Sequence, residues 1–412
     1  MDAAIVIIGD EILLGRVTDT NSGAIARAVD MIGGRVVWVT TVGDNGKDIS
    51  QAITQALDRA DIVFTTGGLG PTKDDITKSV LTDIFGGKLV RDAAIIRNIE
   101  KIFEGRQLKL NELTLDQAIV PDSAHIIMNR LGTAPIMVFG RGDKTLIAMP
   151  GVPYETEGML PEVIDHLNAR YLHDGGSRHS TFVVTGLSES ALAIVLADFE
   201  NELGTGYKLA YLPDSPVIKL RLDGPEKDPD YTSVQSRLKD VLTNTAGLKI
   251  LTCEDKTPGE AVVEKLAAKG LTLSTAESCT GGNIAHTITA VSGASAVFNG
   301  GVVSYANSAK INLLDVSKET LENYGAVSRQ VVVQMADGVS RALMTDCAIA
   351  TSGIAGPTGG TPEKPVGTVW IAVRTPRGTR TECFRLPGNR DRVIARATAQ
   401  GLIMLLEELG EI

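Results

Sequence analysis

Two spacings of apolar residues alternate along the chain. Ala3–Ile8 is an unbroken, β-branched apolar run, the pattern of a strand buried on both faces. Ile25, Ala28, Val29 and Ile32 then recur three and four apart, one face of a helix that Asn21 or Ser22 can cap. Arg35–Val42 and Asp61–Thr66 read as strands around a helix at Ile49–Leu57. Helices are predicted at Asp92–Phe103, Glu112–Gln117 and Tyr154–Asn168, and a strand at Leu146–Met149. This rhythm predicts a mostly parallel sheet with helices on both faces. After the polar, Gly-rich stretch His173–Ser180 come a strand (Thr181–Thr185), a helix (Ser188–Glu202), an extended pair ending in Val217–Leu222 and a helix (Tyr231–Ala246), a small α+β unit. A break at Cys253–Pro258, where Pro258 suits a helix N1 position, opens another α/β rhythm. Its helices are Gly259–Lys269, Gly281–Val291, Ser328–Leu343 and a closing Arg390–Leu409; its strands are Leu271–Ala276, Val297–Tyr305, Cys347–Thr351 and Val366–Val373. The predicted domains are therefore 1–171, 172–254 and 255–412.

A length of 412 residues fits two or three domains, and 43% apolar with 22% charged residues excludes extended disorder. No window approaches 18 uninterrupted apolar residues, so no membrane span or membrane partner is expected. The start of the chain carries no basic segment or cleavage site of a signal peptide. Cys253, Cys279, Cys347 and Cys383 lie far apart with no CxxC pair, which fits reduced thiols in a cytoplasm and disfavours zinc. Residues 255–412 balance 15 basic against 15 acidic side chains, so the net charge of −10 sits in residues 1–254. No long basic stripe exists, and nucleic acid is not an expected partner. Arg374, Arg377, Arg380, Arg385, Arg390, Arg392 and Arg396 do crowd one late segment, with a solvated face as the plain reading.

Chemistry is concentrated at predicted strand ends. In the first domain these are Gly9-Asp10-Glu11, Asp19-Thr20-Asn21, Gly67-Gly68-Leu69-Gly70-Pro71-Thr72-Lys73-Asp74-Asp75 and Pro150-Gly151-Val152-Pro153-Tyr154-Glu155. Ligands of open α/β sheets bind at this edge. Gly67, Gly68 and Gly70 let backbone N–H groups approach a phosphate, and Asp10, Asp74 and Asp75 offer hard oxygen ligands to a divalent cation such as Mg²⁺. A tight turn whose Asp74 and Asp75 favour a helix N-terminus is the plainer alternative. In the last domain, Thr275–Gly282 places Ser278 and Cys279 where a strand meets a helix, with N–H groups around Thr280–Gly282 near enough to hold an oxyanion. The domain's one histidine, His286, lies two turns down that helix, so a Ser–His–Asp triad is not expected. Lys310, desolvated and neutral, is the alternative base. Taken alone, Ser278 would be an N-cap and Lys310 a surface lysine. A third Gly-rich loop, Thr351–Gly360, is either a close approach to phosphate or ribose or a long flexible connection.

These motifs resemble a known family. AESCTGG (276–282), YANSAK (305–310), GAVS (325–328) and the loop from Ser352 to Val369 resemble the CinA C-terminal domain, the pyridine-nucleotide deamidase family. IGDEILLG (8–15), DTN (19–21), GGLGPTKDDIT (67–77) and PGVPYE (150–155) resemble the CinA N-terminal domain, of the molybdopterin-binding fold of MogA- and MoaB-like proteins; the middle unit resembles a KH-like module. The resemblance implies hydrolysis of nicotinamide mononucleotide (NMN) to nicotinate mononucleotide and ammonia. Ser278 would be the nucleophile, with Tyr305 and Lys310, 27 and 32 residues downstream, as activating partners and no cofactor. Thr280, Gly281, Gly282, Ser352, Gly353 and Arg390 are the expected substrate contacts, Arg390 on the phosphate. For the N-terminal domain it implies metal-dependent hydrolysis of ADP-ribose. Asp10, Asp74 and Asp75 would hold Mg²⁺, Mn²⁺ or Co²⁺, with K⁺ a further candidate ion, and Asn21, Gly67, Gly68, Gly70, Thr72, Pro150, Gly151 and Glu155 would contact the nucleotide. Asp10 stands where many members have Thr. A homodimer is implied as well. The alternatives are a molybdopterin or nucleotide binder, or an adaptor linked to competence or recombination, without N-terminal catalysis.

Overall fold

A computed structural model describes residues 1–72, 75–107, 109–171, 177–214, 216–225 and 227–410. The chain divides into two compact units, Met1–Arg178 with Pro225–Lys227, and His179–Gly224 with Asp228–Ile412. Among the described residues no helix is long and apolar enough to cross a membrane.

The first unit runs β1 (Asp2–Ile8), α1 (Asp10–Leu13), α2 (Asn21–Met31), β2 (Arg35–Val42), α3 (Gly46–Arg59), β3 (Ile62–Thr66), α4 (Thr77–Phe85), β4 (Leu89–Arg91), α5 (Ala93–Arg106), α6 (Glu112–Leu115), β5 (Ile119–Pro121), β6 (His125–Ile127), β7 (Ile136–Arg141), β8 (Lys144–Met149) and α7 (Pro153–Tyr171). Its main sheet has the order β2-β1-β3-β8-β7-β6. The first four strands are parallel and the last two antiparallel. The apolar run of β1 has the expected cause: Ala4, Val6 and Ile8 enter one core with α3, while Ala3, Ile5 and Ile7 enter another with α2 and α7. One strand lies outside the predicted elements, and one capping expectation is corrected. The run Ile136–Phe139 is a strand paired as a hairpin with β8, which a short apolar run does not announce by itself. Neither Asn21 nor Ser22 caps α2: Thr20 holds the N-cap position, and the Asp19 carboxylate accepts the Ser22 N–H (3.2 Å).

The second unit continues with β9 (Ser177–Thr185), α8 (Glu189–Asn201), β10 (Lys208–Asp214), β11 (Val217–Pro225), α9 (Tyr231–Thr243), β12 (Lys249–Thr252), α10 (Pro258–Lys269), β13 (Leu273–Glu277), α11 (Asn283–Thr289), β14 (Phe298–Val303), α12 (Asn307–Leu314), α13 (Lys318–Tyr324), α14 (Arg329–Leu343), β15 (Cys347–Gly353), β16 (Thr368–Thr375), β17 (Gly378–Arg385) and α15 (Arg390–Leu409). Two sheets result, β10-β11-β9-β12 and β14-β13-β15-β16-β17. In the second, β14, β13 and β15 are parallel and β16 and β17 antiparallel. Residues from α10, α11 and α15 fill one face, and residues from α12 and α14 the other. Pro258 does open α10, behind a capping box in which Thr257 and Glu260 bond each other's backbone N–H. The arginine-rich stretch is not simply a solvated face. It supplies strand β17, and Arg374 pairs with Asp337 (2.6 Å), Arg380 with Glu382 (2.9 Å) and Glu407.

Residues 179–254 and 255–410, separated at Cys253–Pro258 in the sequence, share one core. Val183, Val217 and Leu251 from the four-stranded sheet pack into the cluster containing Val262, Leu266 and Leu402. Lys219 pairs with Asp255 (2.5 Å), and Lys249 with Glu407 near the end of α15 (2.7 Å). Each buried aliphatic side chain contributes about 1.5–3 kcal/mol, so the two sheets should unfold together. Val183→Ala should cost about 1–3 kcal/mol. In calorimetry of the full chain it should lower one transition covering the whole second unit; a separate low-temperature transition for the four-stranded sheet would contradict this.

Candidate active site

The Ser278 turn is built from a buried carboxylate. Glu277 ends β13 only 1% exposed, and its oxygens accept the N–H groups of Gly282 (3.0 Å), Ile284 (3.0 Å) and Ala285 (2.9 Å). Those are the unpaired donors at the start of α11, so the side chain serves as cap and countercharge to the helix end. Gly281 and Gly282 both take positive φ, 63° and 99°, which lets the chain reverse within four residues. Ser278 N–H stays in register by donating to Thr351 O (3.0 Å).

Lys310 comes to the same point from α12 and is 1% exposed. Its Nζ donates to Ser304 O (2.7 Å) and Tyr305 O (3.3 Å) and lies 3.1 Å from Ser278 Oγ. Burial holds its pKa below the ordinary lysine value. A neutral amine has two N–H groups and one lone pair. Protonated, Nζ donates to Ser278 Oγ; in the neutral form, with both N–H groups on carbonyls, the lone pair would face the Ser278 hydroxyl as a general base requires.

A cavity of about 240 Å³ opens over this pair, lined by Ser278, Cys279, Tyr305, Asn307, Lys310, Ala326, Val327, Ser352, Gly353, Ala355 and Arg390. Tyr305 stands at the mouth, 60% exposed, and its hydroxyl accepts from Arg390 Nη2 (2.8 Å) rather than meeting Ser278 or Lys310. Arg390 Nη1 donates to Gly356 O (2.8 Å), and Ser352 Oγ to Ala326 O (2.7 Å). Thr280, Gly281 and Gly282 do not line the cavity. The Thr280 hydroxyl bonds Thr351 Oγ1 (2.7 Å), Gly281 N–H is spent on Ser278 O (3.2 Å) and Gly282 N–H on Glu277, so these residues build the turn instead of facing a ligand. Sequence reasoning passed over Asn307, although it precedes Lys310 by three residues and thus shares its helix face. His286 lines a different groove, with Lys256 and Glu264.

In the first unit, a cavity of about 460 Å³ lies over the carboxyl ends of β1 and β3. Asn21, Gly67, Gly68, Gly70, Asp75 and Gly151 line it, as do Asp19 and Asp44. Asn21 is 6% exposed; its Nδ2 donates to Thr66 Oγ1 and Gly151 O (both 2.8 Å), while its buried Oδ1 has no partner. The expected cation ligands fit less well. Asp75 accepts Gly70 N–H (2.8 Å), Thr72 N–H (2.8 Å) and Thr72 Oγ1 (2.5 Å), closing the glycine turn on itself. Asp10 does not line the cavity; its N–H donates to the Asp44 carboxylate (2.9 Å), and its own carboxylate accepts Asp44 N–H (3.3 Å). Among the described residues no three acidic, histidine or cysteine side chains gather to hold a metal; Asp74 lies outside those residues. Pro150 contributes a carbonyl that accepts the Thr66 (2.8 Å) and Thr156 (2.7 Å) hydroxyls. Glu155 turns away from the cavity, accepting from Asn129 Nδ2 (2.7 Å).

Comparison with known proteins matches both regions. The family model "CinA C-terminal domain" covers residues 255–409, and "Probable molybdopterin binding domain" covers residues 4–169. A CinA-like protein of Flavobacterium psychrophilum is 39% identical over 416 residues, 99% of each chain. Another, of Cytophaga hutchinsonii, is 40% identical over 408 residues, 98% of this chain and 97% of the relative. The chain belongs to the CinA family. A crystal structure of a CinA superfamily protein from Klebsiella pneumoniae is 39% identical, covering 37% of this chain and 95% of that one, with a TM-score of 0.36.

In this CinA-family chain the two nucleophile candidates at one turn differ sharply. Cys279 is 5% exposed, and burial pushes its thiol up to about 12, as it does for Cys347. Cys253 and Cys383 are exposed. A haloacetamide at pH 8 should therefore label Cys253 and Cys383 and spare Cys279 and Cys347, read by peptide mass spectrometry. Equally fast labelling of Cys279 would mean a thiolate shares the site.

Proposed function

We propose that the second unit hydrolyses the carboxamide of NMN to nicotinate mononucleotide and ammonia. The supporting observation is the buried Ser278–Lys310 pair, 3.1 Å apart, with the lysine amine already anchored by two carbonyls. Ser278 Oγ attacks the carboxamide carbon as its proton passes to Lys310 Nζ. The C–N bond then breaks, the leaving nitrogen takes that proton, and ammonia departs. Water attacks the resulting ester, giving its proton to Lys310, and Ser278 recovers it as the carboxylate leaves. Tyr305 orients the base through its main-chain carbonyl and engages Arg390 through its hydroxyl. Arg390 has five N–H donors, and Gly356 and Tyr305 take one each, which leaves donors at the cavity mouth for the substrate phosphate.

For the first unit we propose a nucleotide-binding cavity with ADP-ribose as its ligand. Glycine-lined backbone at a sheet's carboxyl edge and the unpartnered Asn21 Oδ1 support this. Among the described residues no group of three acidic, histidine or cysteine side chains gathers here, and no metal-assisted step is assigned.

Ser278→Ala and Lys310→Ala should each lower ammonia release from NMN by on the order of 10⁴–10⁶ in kcat, with the double variant scarcely worse. Because the base acts when neutral, kcat/KM should fall as pH drops through the Lys310 pKa. That pKa lies below the ordinary lysine value of 10.5, so the profile should rise with pH and level before 10.5. Normal turnover by Ser278→Ala would refute the assignment. In the other unit, Asp75→Ala opens the Gly70–Thr72 turn and should abolish ADP-ribose binding by calorimetry while NMN turnover stays within about twofold. Equal loss at both sites would mean that they are not independent.

A further inference from the structure

Most of the amides at the start of α11 are already spent. Gly281 N–H serves Ser278 O, Asn283 N–H serves Thr280 O, and the amides of Gly282, Ile284 and Ala285 serve Glu277. The carboxylate also cancels the positive end of the helix. The strand beside Ser278 carries a further backbone N–H.

β15 outruns β13. Leu273–Glu277 pair in register with Cys347–Thr351, but β15 continues through Ser352 and Gly353. Successive N–H groups of a strand point to opposite edges. Ile354 N–H points toward β16, donating to Thr368 O (2.9 Å), and Ile354 O accepts Gly367 N–H (2.7 Å) from that side. Gly353 N–H therefore points the other way, toward the β13 edge. Thr351, of the same parity, confirms the direction: its carbonyl accepts Ser278 N–H (3.0 Å). The next rung of a parallel ladder would join Gly353 N–H to Ser278 O. The chain turns away at Ser278, and that carbonyl takes Gly281 N–H instead. The rung is vacant, and both residues that would have made it line the cavity.

The geometry points to Gly353 N–H as an oxyanion donor, an inference that rests on the amidohydrolase reading above. As the Ser278 Oγ–carbon bond forms, the carbonyl π pair moves onto oxygen; the N–H holds that charge until the C–N bond breaks and ammonia leaves with the proton from Lys310. The donor is part of the sheet and needs no rearrangement when charge develops. Glycine is required here for a separate reason: a Cβ would sit 2.7 Å from Thr368 O and from Val369 Cγ2. Side-chain substitution would thus damage the strand, and the test must change the backbone atom.

Replacing Gly353 by glycolate in the full chain turns the N–H into an ester oxygen. The kcat for NMN should fall by on the order of 10²–10³ with KM nearly unchanged. The matching α-hydroxy acid at Ile354 removes the N–H aimed at β16 and should lower Tm while sparing kcat. A glycolate variant within threefold of normal kcat would overturn the inference and leave the amidohydrolase reading intact. If the unaltered chain released no ammonia from NMN, the reading itself would fall. A second measurement needs neither turnover nor a variant: an arylboronate adds to Ser278 as a tetrahedral anion, and the Gly353 amide proton should move downfield in a glycine-labelled NMR spectrum. An unmoved amide with the adduct formed would also overturn the inference.

Discussion

The second unit is organised around a buried lysine amine at the floor of a cavity. An ammonium at a position 1% exposed gives up most of its hydration. Lys310 finds two carbonyls and a hydroxyl, and its shift below the ordinary lysine value follows from that poverty of solvation. Those carbonyls belong to Ser304 and Tyr305, just past β14, and the hydroxyl to Ser278, just past β13. The amine can therefore be held only if the two parallel strands end level with each other. Ser304 N–H donating to Glu277 O (2.8 Å) keeps them so. The geometry of the Ser278–Lys310 pair and the sheet register are in this sense one constraint.

Glu277 shows how the turn is kept in place. A buried carboxylate is costly unless its oxygens are satisfied, and three helix-end amides satisfy them. The same bonds remove the helix end from electrostatic service to the reaction. The end of β15 beside Ser278 is then where backbone left out of the ladder faces the cavity. The cavity is consequently framed by strand ends and by residues of the Gly-rich loop, with Arg390 of the closing helix at its mouth.

The first unit uses the same kind of sheet edge with a different outcome. Its glycine turn is closed by Asp75, which spends both carboxylate oxygens on Gly70 and Thr72. In sequence the run of acids beyond this turn reads as a cation site; in three dimensions the carboxylate with a described position is a turn-builder. Among the described residues lining this cavity, a buried polar atom without a partner belongs instead to Asn21, whose Nδ2 bonds Thr66 and Gly151.

Local pattern was enough to read the α/β class and the long helices, whereas Ser278 and Lys310, an N-cap and a surface lysine when taken alone, were singled out only by the family resemblance of their motifs. Apolar spacing reports which face of an element is buried, and glycine or serine at a strand end reports a tight turn whatever lies beyond it. Hairpin strands such as β7 and β17 escaped because their partners, not their own short and polar or mixed runs, make them strands. The roles of Thr280, Gly282, Tyr305, Asp75 and Glu155 also waited for the tertiary structure. Hydrogen bonds join residues far apart in sequence, such as Tyr305 with Arg390 and Glu155 with Asn129, and a side chain's function depends on which partner claims its polar atoms first. The shared core of the two sheets in the second unit is of the same kind: Val183, Val217 and Leu251 are apolar in any reading, but only the fold decides which neighbour buries them.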